Sequence, residues 1–342
     1  MKKRARRIIT AALIAVLAVG VVGCAGQTPP EEKEKFVIGF DIYYAGNTWS
    51  VQSAEEFKAA AERHSDIIET VYYTESEGKA EKQIANIEDL ITKNVDAIIM
   101  SPISGAGASR VIDQAVEAGI VVVVTGNAGL ETDKYTACVT VDDKDFGKAI
   151  AQWLAEALDG KGKIIALNGI PGIETSALRW EGAQEVFAGY PEIEVIGQAS
   201  ADWDYAKAKM ATANLLAAHP QIDGVWSQGG EMTRGAIEAF QAAGRPLVPM
   251  TGEDNNGFLK LWLELQDEGF ESIGASKPTW LTAECLEVAL KALQGEEVEK
   301  VAVLPVPTIT SENLADFVKP DLPDSLWCNT RLSDEEINAL FQ

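Results

Sequence analysis

From Phe36 onward the chain alternates short apolar runs with longer stretches in which apolar side chains recur every three or four positions. The runs 36–41, 68–73, 95–100, 120–125, 137–141, 163–168, 193–198, 223–227, 247–251, 271–275 and 300–306 predict strands, bounded by Gly, Asn, Asp or Pro. Several are continuously apolar, such as Ala97-Ile98-Ile99-Met100 and Ile120 to Val124, which fits strands covered on both faces in a parallel sheet. Between them the pattern is helical. Val51, Ala54, Phe57 and Ala61 share one face, and Ile84, Ile87 and Ile91 share another. Strand and helix in alternation predict an α/β protein of the doubly wound kind.

The alternation occurs twice. Asp96 opens an apolar strand followed by a loop of small residues, a helix and Glu117-Ala118-Gly119; Asp223 opens another, ending in Ala243-Gly244. Each helix reaches a glycine, as a left-handed C-cap requires. Two similar half-chains predict two similar lobes, with ligand bound beyond the carboxyl ends of the strands.

Before Phe36 the pattern changes. Residues 2–7 read KKRARR and an apolar run extends from Ile8 to Val22, shorter than the roughly 20 residues of a spanning helix. A basic start, a short apolar stretch and small residues predict a secretory signal. Val21-Val22-Gly23-Cys24 resembles the lipobox of bacterial lipoproteins, which implies cleavage after residue 23 and lipid on Cys24. Residues 24–35 read as a flexible tether, so the protein is expected to be tied to a membrane face at the cell envelope rather than inserted in it.

Composition narrows the function. Of 342 residues 46% are hydrophobic and 24% charged, enough for a sizeable core and incompatible with disorder as the main state. A net charge of −23 excludes nucleic acid as the expected partner. Two histidines and no paired-cysteine motif leave little for a metal site, and no cofactor is expected. Beyond Cys24, the cysteines Cys138, Cys285 and Cys328 allow at most one internal disulfide. No nucleophile elbow, P-loop or metalloprotease helix occurs, and Gly105-Ala106-Gly107 lacks the third glycine of a dinucleotide loop. His64 and His219 sit at helix ends, and Asp142, Asp143 and Asp145 read as a solvated loop. No enzymatic activity is expected.

Aromatic residues carry more information. Trp153 and Trp262 fall inside helical stretches and read as core, whereas Trp49 and Trp203 fall in strand-to-helix loops where a cleft would lie. Trp203 is flanked by Asp202 and Asp204, and Trp49 neighbours Asn47 and Ser50. A flat ring beside carboxylate or amide acceptors suits a sugar, whose C–H faces stack while its hydroxyls hydrogen-bond. Packing of lobe against lobe is the alternative use of the same tryptophans.

With Ile38-Gly39-Phe40, Asn47-Thr48-Trp49, Gly169-Ile170-Pro171-Gly172, Arg179-Trp180-Glu181-Gly182, Ala201-Asp202-Trp203-Asp204 and Gln228 to Ala236, the chain resembles the type I periplasmic binding proteins over about 36–306. More narrowly it resembles the ribose/galactose-type sugar-binding components of ABC importers. The resemblance implies two lobes joined by three crossings, residues 36–141 plus 277–304 and residues 142–276 plus 305–342. It also implies that Asn47 bonds sugar hydroxyls, Trp49 and Trp203 stack on opposite faces, Ser101 gives a polar contact, Arg179 donates a forked pair and Asp254 accepts from adjacent hydroxyls. Asn127, Asp142, Glu253 and Lys277 complete the expected ligand-binding set. Departures point away from ribose itself. Gly126-Asn127 replaces an aspartate, Gly229-Gly230 replaces an Asn-Asp pair, Glu253 replaces an aromatic residue, and Lys277 stands near the last glutamine contact. The glycines could make room for a larger ligand, and Glu253 with Asp254 could favour an amine unless Arg179 and Lys277 neutralise them.

The implied function is capture of a small sugar or sugar-like ligand by a monomer that delivers it to an ABC-transporter permease. A sensory subunit that presents ligand to a receptor is the alternative, as is a nucleoside, polyol or amino sugar as ligand. An exported sugar-cleaving enzyme would need a carboxylate pair, for which Glu253 and Asp202 are the nominees. The tail from Thr308 to Gln342, with Trp327-Cys328 and a helix after Ser333, is expected to pack on a lobe.

Overall fold

The structure, a computed structural model, describes residues 35–341. The leader, Cys24 and the tether up to residue 34 lie outside the described residues. The chain runs β1 (Phe36–Ile42), α1 (Thr48–Arg63), β2 (Ile68–Glu75), α2 (Ala80–Thr92), β3 (Ala97–Met100), α3 (Gly105–Glu117), β4 (Val121–Val124) and β5 (Ala137–Val141). It continues α4 (Asp143–Ala157), β6 (Lys161–Asn168), α5 (Glu174–Phe187), β7 (Glu192–Ser200), α6 (Tyr205–Ala218), β8 (Gly224–Ser227), α7 (Gly230–Ala242), β9 (Met250–Glu253), α8 (Asn256–Leu265) and β10 (Ser272–Ala275). After these come α9 (Leu281–Leu293), β11 (Val301–Leu304), β12 (Thr308–Ile309), α10 (Leu314–Phe317) and α11 (Asp334–Leu340).

The strands form two sheets of six, ordered β11-β5-β4-β3-β1-β2 and β12-β10-β9-β8-β6-β7. Position by position these are the same order, so the duplication read in the sequence is a duplication of topology. Among the described residues these strands pair in parallel, except β10 with β12. The two strand-opening aspartates do the same work in each half. Asp96 Oδ2 accepts from the Val37 amide at 2.6 Å, and Asp223 Oδ2 accepts from the Lys163 amide at 2.8 Å. Each ties the start of one strand to its neighbour and satisfies a backbone donor that would otherwise lack a partner.

Each sheet is covered on both faces, which is why its central strands carry apolar residues without alternation. In the first lobe α1 and α9 pack on one face around Phe57 and Leu286, and α2 and α3 on the other around Ile87 and Ile112. In the second, α6, α7 and α8 pack around Phe240 and Trp262, and α4 and α5 around Leu154 and Trp226. Trp262 is core as expected, but Trp153 is only half-buried at the edge of its cluster. Gly119 and Gly244, with φ of 83° and 62°, terminate α3 and α7 in the left-handed region.

The chain passes between lobes after β5, between β10 and α9, and between β11 and β12. A fourth passage was not expected. The sequence reading placed all of 305–342 with the second lobe, and α10 does pack on α8 there. From Thr330 onward, however, the tail bonds to Glu56 of α1, and Leu332 and Ile337 pack with Ala59 of that helix. Its end belongs against the first lobe because the buried Glu56 carboxylate of α1, which also accepts from Thr279 Oγ1, finds further donors in Thr330 and the Arg331 amide. Cys138, Cys285 and Cys328 are all free thiols, so the one disulfide the count allowed does not form.

Candidate functional site

Loops at the carboxyl ends of β1, β3, β4, β6 and β9 converge on a cavity of about 330 Å³ between the lobes, within the range of small-molecule sites. The first lobe brings Tyr43, Asn47, Trp49, Ser101 and Asn127 to it; the second brings Asp143, Glu174, Arg179, Trp203 and Glu253. Lys277, from the crossing between β10 and α9, and Trp327, from the tail, also line it.

At the first-lobe side, Asn47 lines the cavity and caps α1 by accepting from the Ser50 amide at 2.8 Å, and its side chain also hydrogen-bonds the Tyr43 phenol. The Ser50 hydroxyl donates to the Tyr43 phenol at 3.1 Å, and burial raises the Tyr43 pKa. Ser101 accepts from Thr125 Oγ1 at 2.6 Å, and Asn127 donates to the Tyr135 hydroxyl at 3.0 Å. Beneath them the Gln83 amide holds the loop, donating to the Ser101 carbonyl and accepting from the Ile103 amide, both at 2.9 Å.

Four buried charges occupy the centre. Arg179, 2% exposed, donates from Nε to Asp143 Oδ1 at 2.9 Å, from Nη1 to the Gln228 carbonyl at 2.8 Å and from Nη2 to Glu253 Oε1 at 3.2 Å. Its guanidinium lies 3.6 Å over the Phe146 ring. Lys277 Nζ is 3.3 Å from Asp143 Oδ2 and 5.5 Å from the Trp49 ring centre. Two cations and two carboxylates leave this buried cluster without net formal charge, while the carboxylates of Asp142 and Glu174 stand nearer solvent at the cavity edge. Burial pushes the Asp143 carboxyl upward, but Lys277 and Arg179 overcome it and hold the group below its usual range. Burial raises Glu253 against the pull of Arg179 and Lys277, and burial lowers Lys277. Of the five guanidinium N–H groups three are engaged within the protein, which leaves two for a ligand.

Trp203 follows Asp202, and both have left-handed backbones with φ of 54° and 56°. A large non-glycine side chain in this region is strained, and its surroundings hold it there. The ring is clasped by two glycines: a Cβ at Gly169 would come within 2.2 Å of it, and one at Gly229 within 2.7 Å. A Cβ at Gly230 would come within 2.5 Å of the Glu253 carbonyl. The Gly229-Gly230 pair therefore makes room for Trp203 and the adjacent backbone, and not for a larger ligand.

Nine of the ten residues expected to bind ligand line the cavity: Asn47, Trp49, Ser101, Asn127, Asp142, Arg179, Trp203, Glu253 and Lys277. Asp254 does not. It is fully buried, accepts from Ser276 Oγ at 2.9 Å and from the Asn329 amide at 2.7 Å, and so fastens the tail. Strand alternation explains the difference, because Glu253 and its successor point to opposite sides. Asp142 lines the rim as an exposed helix cap, accepting from the Asp145 amide at 2.8 Å. The interior role falls to Asp143, read in the sequence as solvated. It is the first residue of α4 rather than part of a loop, and its burial between two distant cations has no local signal in the sequence. Tyr43, Glu174 and Trp327 were also missed, the last because nothing in a tail tryptophan announces where the tail goes.

Among the described residues no group of three His, Cys, Asp or Glu side chains is arranged to hold a metal, and no helix is long and apolar enough to cross a membrane. A family profile described as a periplasmic binding protein domain matches residues 38–297. The chain is a type I periplasmic binding protein.

This periplasmic binding protein is 30% identical to the xylitol-binding protein of Mycolicibacterium smegmatis over 313 residues, 90% of this chain and 87% of that one. It is 26% identical to the ribose import binding protein of Bacillus subtilis over 308 residues, 90% of this chain and 98% of the relative. A solved ABC-transporter solute-binding protein from Bacillus halodurans, with bound myo-inositol, matches with a TM-score of 0.74 at 27% identity over 84% of this chain and 98% of its own. These relatives are solute-binding proteins rather than enzymes, and this periplasmic binding protein is one as well.

Proposed function

We propose that this periplasmic binding protein captures a neutral sugar or polyol between its lobes and hands it to an ABC-transporter permease, with the chain tied to the membrane through lipid on Cys24. The observation that carries the ligand class is the charge-compensated centre, in which Arg179 and Lys277 answer Asp143 and Glu253. A ligand with its own net charge would leave one buried charge uncompensated, which costs several kcal/mol, at about 3–5 for a broken pair. A polyhydroxylated neutral ligand meets donors and acceptors without that penalty. Arg179 and the Asn47 amide donate to its oxygens, Glu253 and Asp143 accept from its hydroxyls, and Trp49 and Trp203 lie against its C–H faces. Ser101, Asn127, Asp142 and Lys277 complete the ligand-binding set. The relatives named for ribose, xylitol and myo-inositol support the same class.

The lobes of this reading are 36–141 plus 277–304 and 142–276 plus 305 onward, with the end of the tail returned to the first. Closure about the crossings buries the ligand, and a missing hydroxyl then leaves a buried group unpaired, which is the basis of selectivity.

The test is a thermal-shift and calorimetric screen of the chain from Lys35 against D-ribose, D-galactose, xylitol and myo-inositol, with galactosamine and galacturonate as charged counterparts of galactose. A ligand at 100 times its Kd stabilises the folded form by about 2.7 kcal/mol. A shift with a neutral compound and none with its charged counterparts is expected; a shift confined to the charged compounds overturns the reading. For the anchor, Cys24→Ala is expected to move the protein from the membrane fraction to the soluble one.

A further inference from the structure

Trp327 lies 30 residues beyond the end of the matched family domain at residue 297, yet it lines the ligand cavity. The segment that carries it is fastened at almost every residue, and to both lobes. The Gln52 side chain of α1 pairs with the Trp327 backbone in both directions, its Nε2 donating to the carbonyl and its Oε1 accepting from the amide, each at 2.9 Å. Next in the chain, the Cys328 amide donates to the Asp254 carbonyl at 3.0 Å and the Asn329 amide to Asp254 Oδ2 at 2.7 Å, both in the second lobe. Thr330 and the Arg331 amide then return to Glu56 of α1. Arg331 finishes the attachment, donating to Glu284 of α9 at 2.8 Å with its guanidinium 3.7 Å over Trp280.

The ring itself is tied into a chain of donors that crosses the cleft. Trp327 Nε1 donates to Thr48 Oγ1 at 2.8 Å, and the Thr48 hydroxyl donates onward to Glu231 Oε1 at 2.9 Å. Thr48 is the first residue of α1, between the cavity residues Asn47 and Trp49; Glu231 is in the first turn of α7 in the other lobe. Hydrogen bonds in such a chain polarise one another, so the three groups hold position together. Trp327 is 1% exposed, and no part of it can move without breaking one of these bonds or leaving a buried donor unpaired.

We propose that residues 326–331 are a strap that joins the lobes outside the three hinge crossings and installs Trp327 as a specificity-determining wall of the ligand cavity. A wall held on both lobes does not yield to a bulky ligand as a side chain on a free loop does. It limits ligand size in the closed form, and through Thr48 it sets the position of the α1 turn that presents Asn47 and Trp49. The size limit rests on the reading of the cavity as a sugar site; the strap itself does not.

The experiment uses the chain from Lys35 and its Trp327→Ala, Trp327→Phe and Thr48→Val variants, each checked for native circular dichroism. Ligand affinity is measured by calorimetry against D-ribose, D-galactose, xylitol, myo-inositol and the methyl glycosides of the two sugars. Trp327→Ala is expected to lose at least tenfold in affinity for the best free compound and to lose less for its methylated form, because space opens where the ring stood. Trp327→Phe keeps a ring without the donor and is expected to fall between. In parallel, amide hydrogen exchange without ligand is followed at residues 47–53 and 326–331. It is expected to accelerate in Thr48→Val and Trp327→Phe there and not in β3 or β8. Should Trp327→Ala fail to fold, the other two variants decide. Should no panel compound bind the parent chain, the sugar reading falls and exchange alone judges the strap. Unchanged exchange in both regions overturns the strap, and affinities within twofold across the panel overturn the wall.

Discussion

Nε of Arg179 stands 2.9 Å from Oδ1 of Asp143, and both side chains are withdrawn from water, at 2% and 7% exposure. The pair joins the first turn of α4 to α5, and Lys277 closes it from the hinge with Nζ 3.3 Å from the other carboxylate oxygen. One carboxylate thus holds two cations, and the three groups come from three different stretches of chain. Without Asp143, those cations would repel each other in a medium that screens poorly.

Replacing Asp143 is therefore expected to damage stability and binding together. Asp143→Ala leaves two buried cations facing one carboxylate and is expected to cost about 3–5 kcal/mol, read as a lower urea midpoint at unchanged slope. Asp143→Asn keeps the shape and an acceptor oxygen and is expected to cost less. Equal midpoints for Asp143→Ala and the parent would remove the carboxylate from its central role.

Arg179→Lys separates geometry from charge. The ammonium preserves the net balance of the centre but not the planar fork that reaches Asp143, Gln228 and Glu253 at once. Each hydrogen bond involving a charged group contributes about 1.5–3 kcal/mol, so affinity for the best panel ligand is expected to fall about 10–100-fold. Calorimetry checks this, and full affinity in the lysine variant would show that charge alone suffices.

Gly169→Ala tests the clasp on Trp203. The added methyl would sit 2.2 Å from the indole, so the ring must leave its place or the backbone must move. A loss of about 1–3 kcal/mol is expected, with a change in tryptophan emission and weaker binding. An unaltered emission spectrum would mean the ring tolerates a neighbour the geometry forbids.

Two buried carboxyls give the fold a pH dependence of known sign. Burial, with Glu253 next to it, pushes Asp254 up to about 7, against the pull of Ser276 and the Asn329 amide; burial also lifts Glu231 to about 7. Both folded-state values lie above the unfolded ones, so the folded protein holds protons that the unfolded chain has released. Stability from these groups is full below the ordinary carboxylate range and falls as pH rises toward 7, by up to ~1.4 kcal/mol per pH unit for each proton. Asp254→Asn is expected to flatten the decline in Tm between pH 5 and 8 and to be the more stable protein at pH 8. Parallel curves for variant and parent would assign the dependence elsewhere.

The thiols supply a check on packing. Burial raises Cys138 to about 12 and lifts Cys285 and Cys328 well above the usual thiol range, so no thiolate is available near neutrality. Titration of the chain from Lys35 with a thiol reagent is expected to find no fast-reacting group in the native state and all three after denaturation. A missing thiol after denaturation would reveal a disulfide.

The fold was legible because its signals are local or repeat. Continuous apolar runs announce doubly covered strands, and the two Asp-to-Gly units announce two lobes with one topology. Trp49 and Trp203 were legible for the same reason, since strand-to-helix loops in such a fold face the ligand, whereas Ser101, Arg179, Glu253 and Lys277 followed only from the resemblance to the family. Asp254 and Asp143 mark the limit: each lies one position from a residue expected at the cleft, Glu253 and Asp142, and only the phase of the strand or helix decides which of the two faces inward. The short β12 went unread, having two residues and a single antiparallel partner.

The sequence by itself determined the α/β class, the duplication and the loops that carry Trp49 and Trp203, because hydrophobic period and turn chemistry act over a few residues. Only the tertiary structure decided which charges meet, that two glycines exist to seat Trp203, and that the tail returns to α1 and brings Trp327 to the cavity. Those facts depend on contacts between segments hundreds of residues apart, such as Gln52 with Trp327, and no local pattern in either segment encodes the other's arrival.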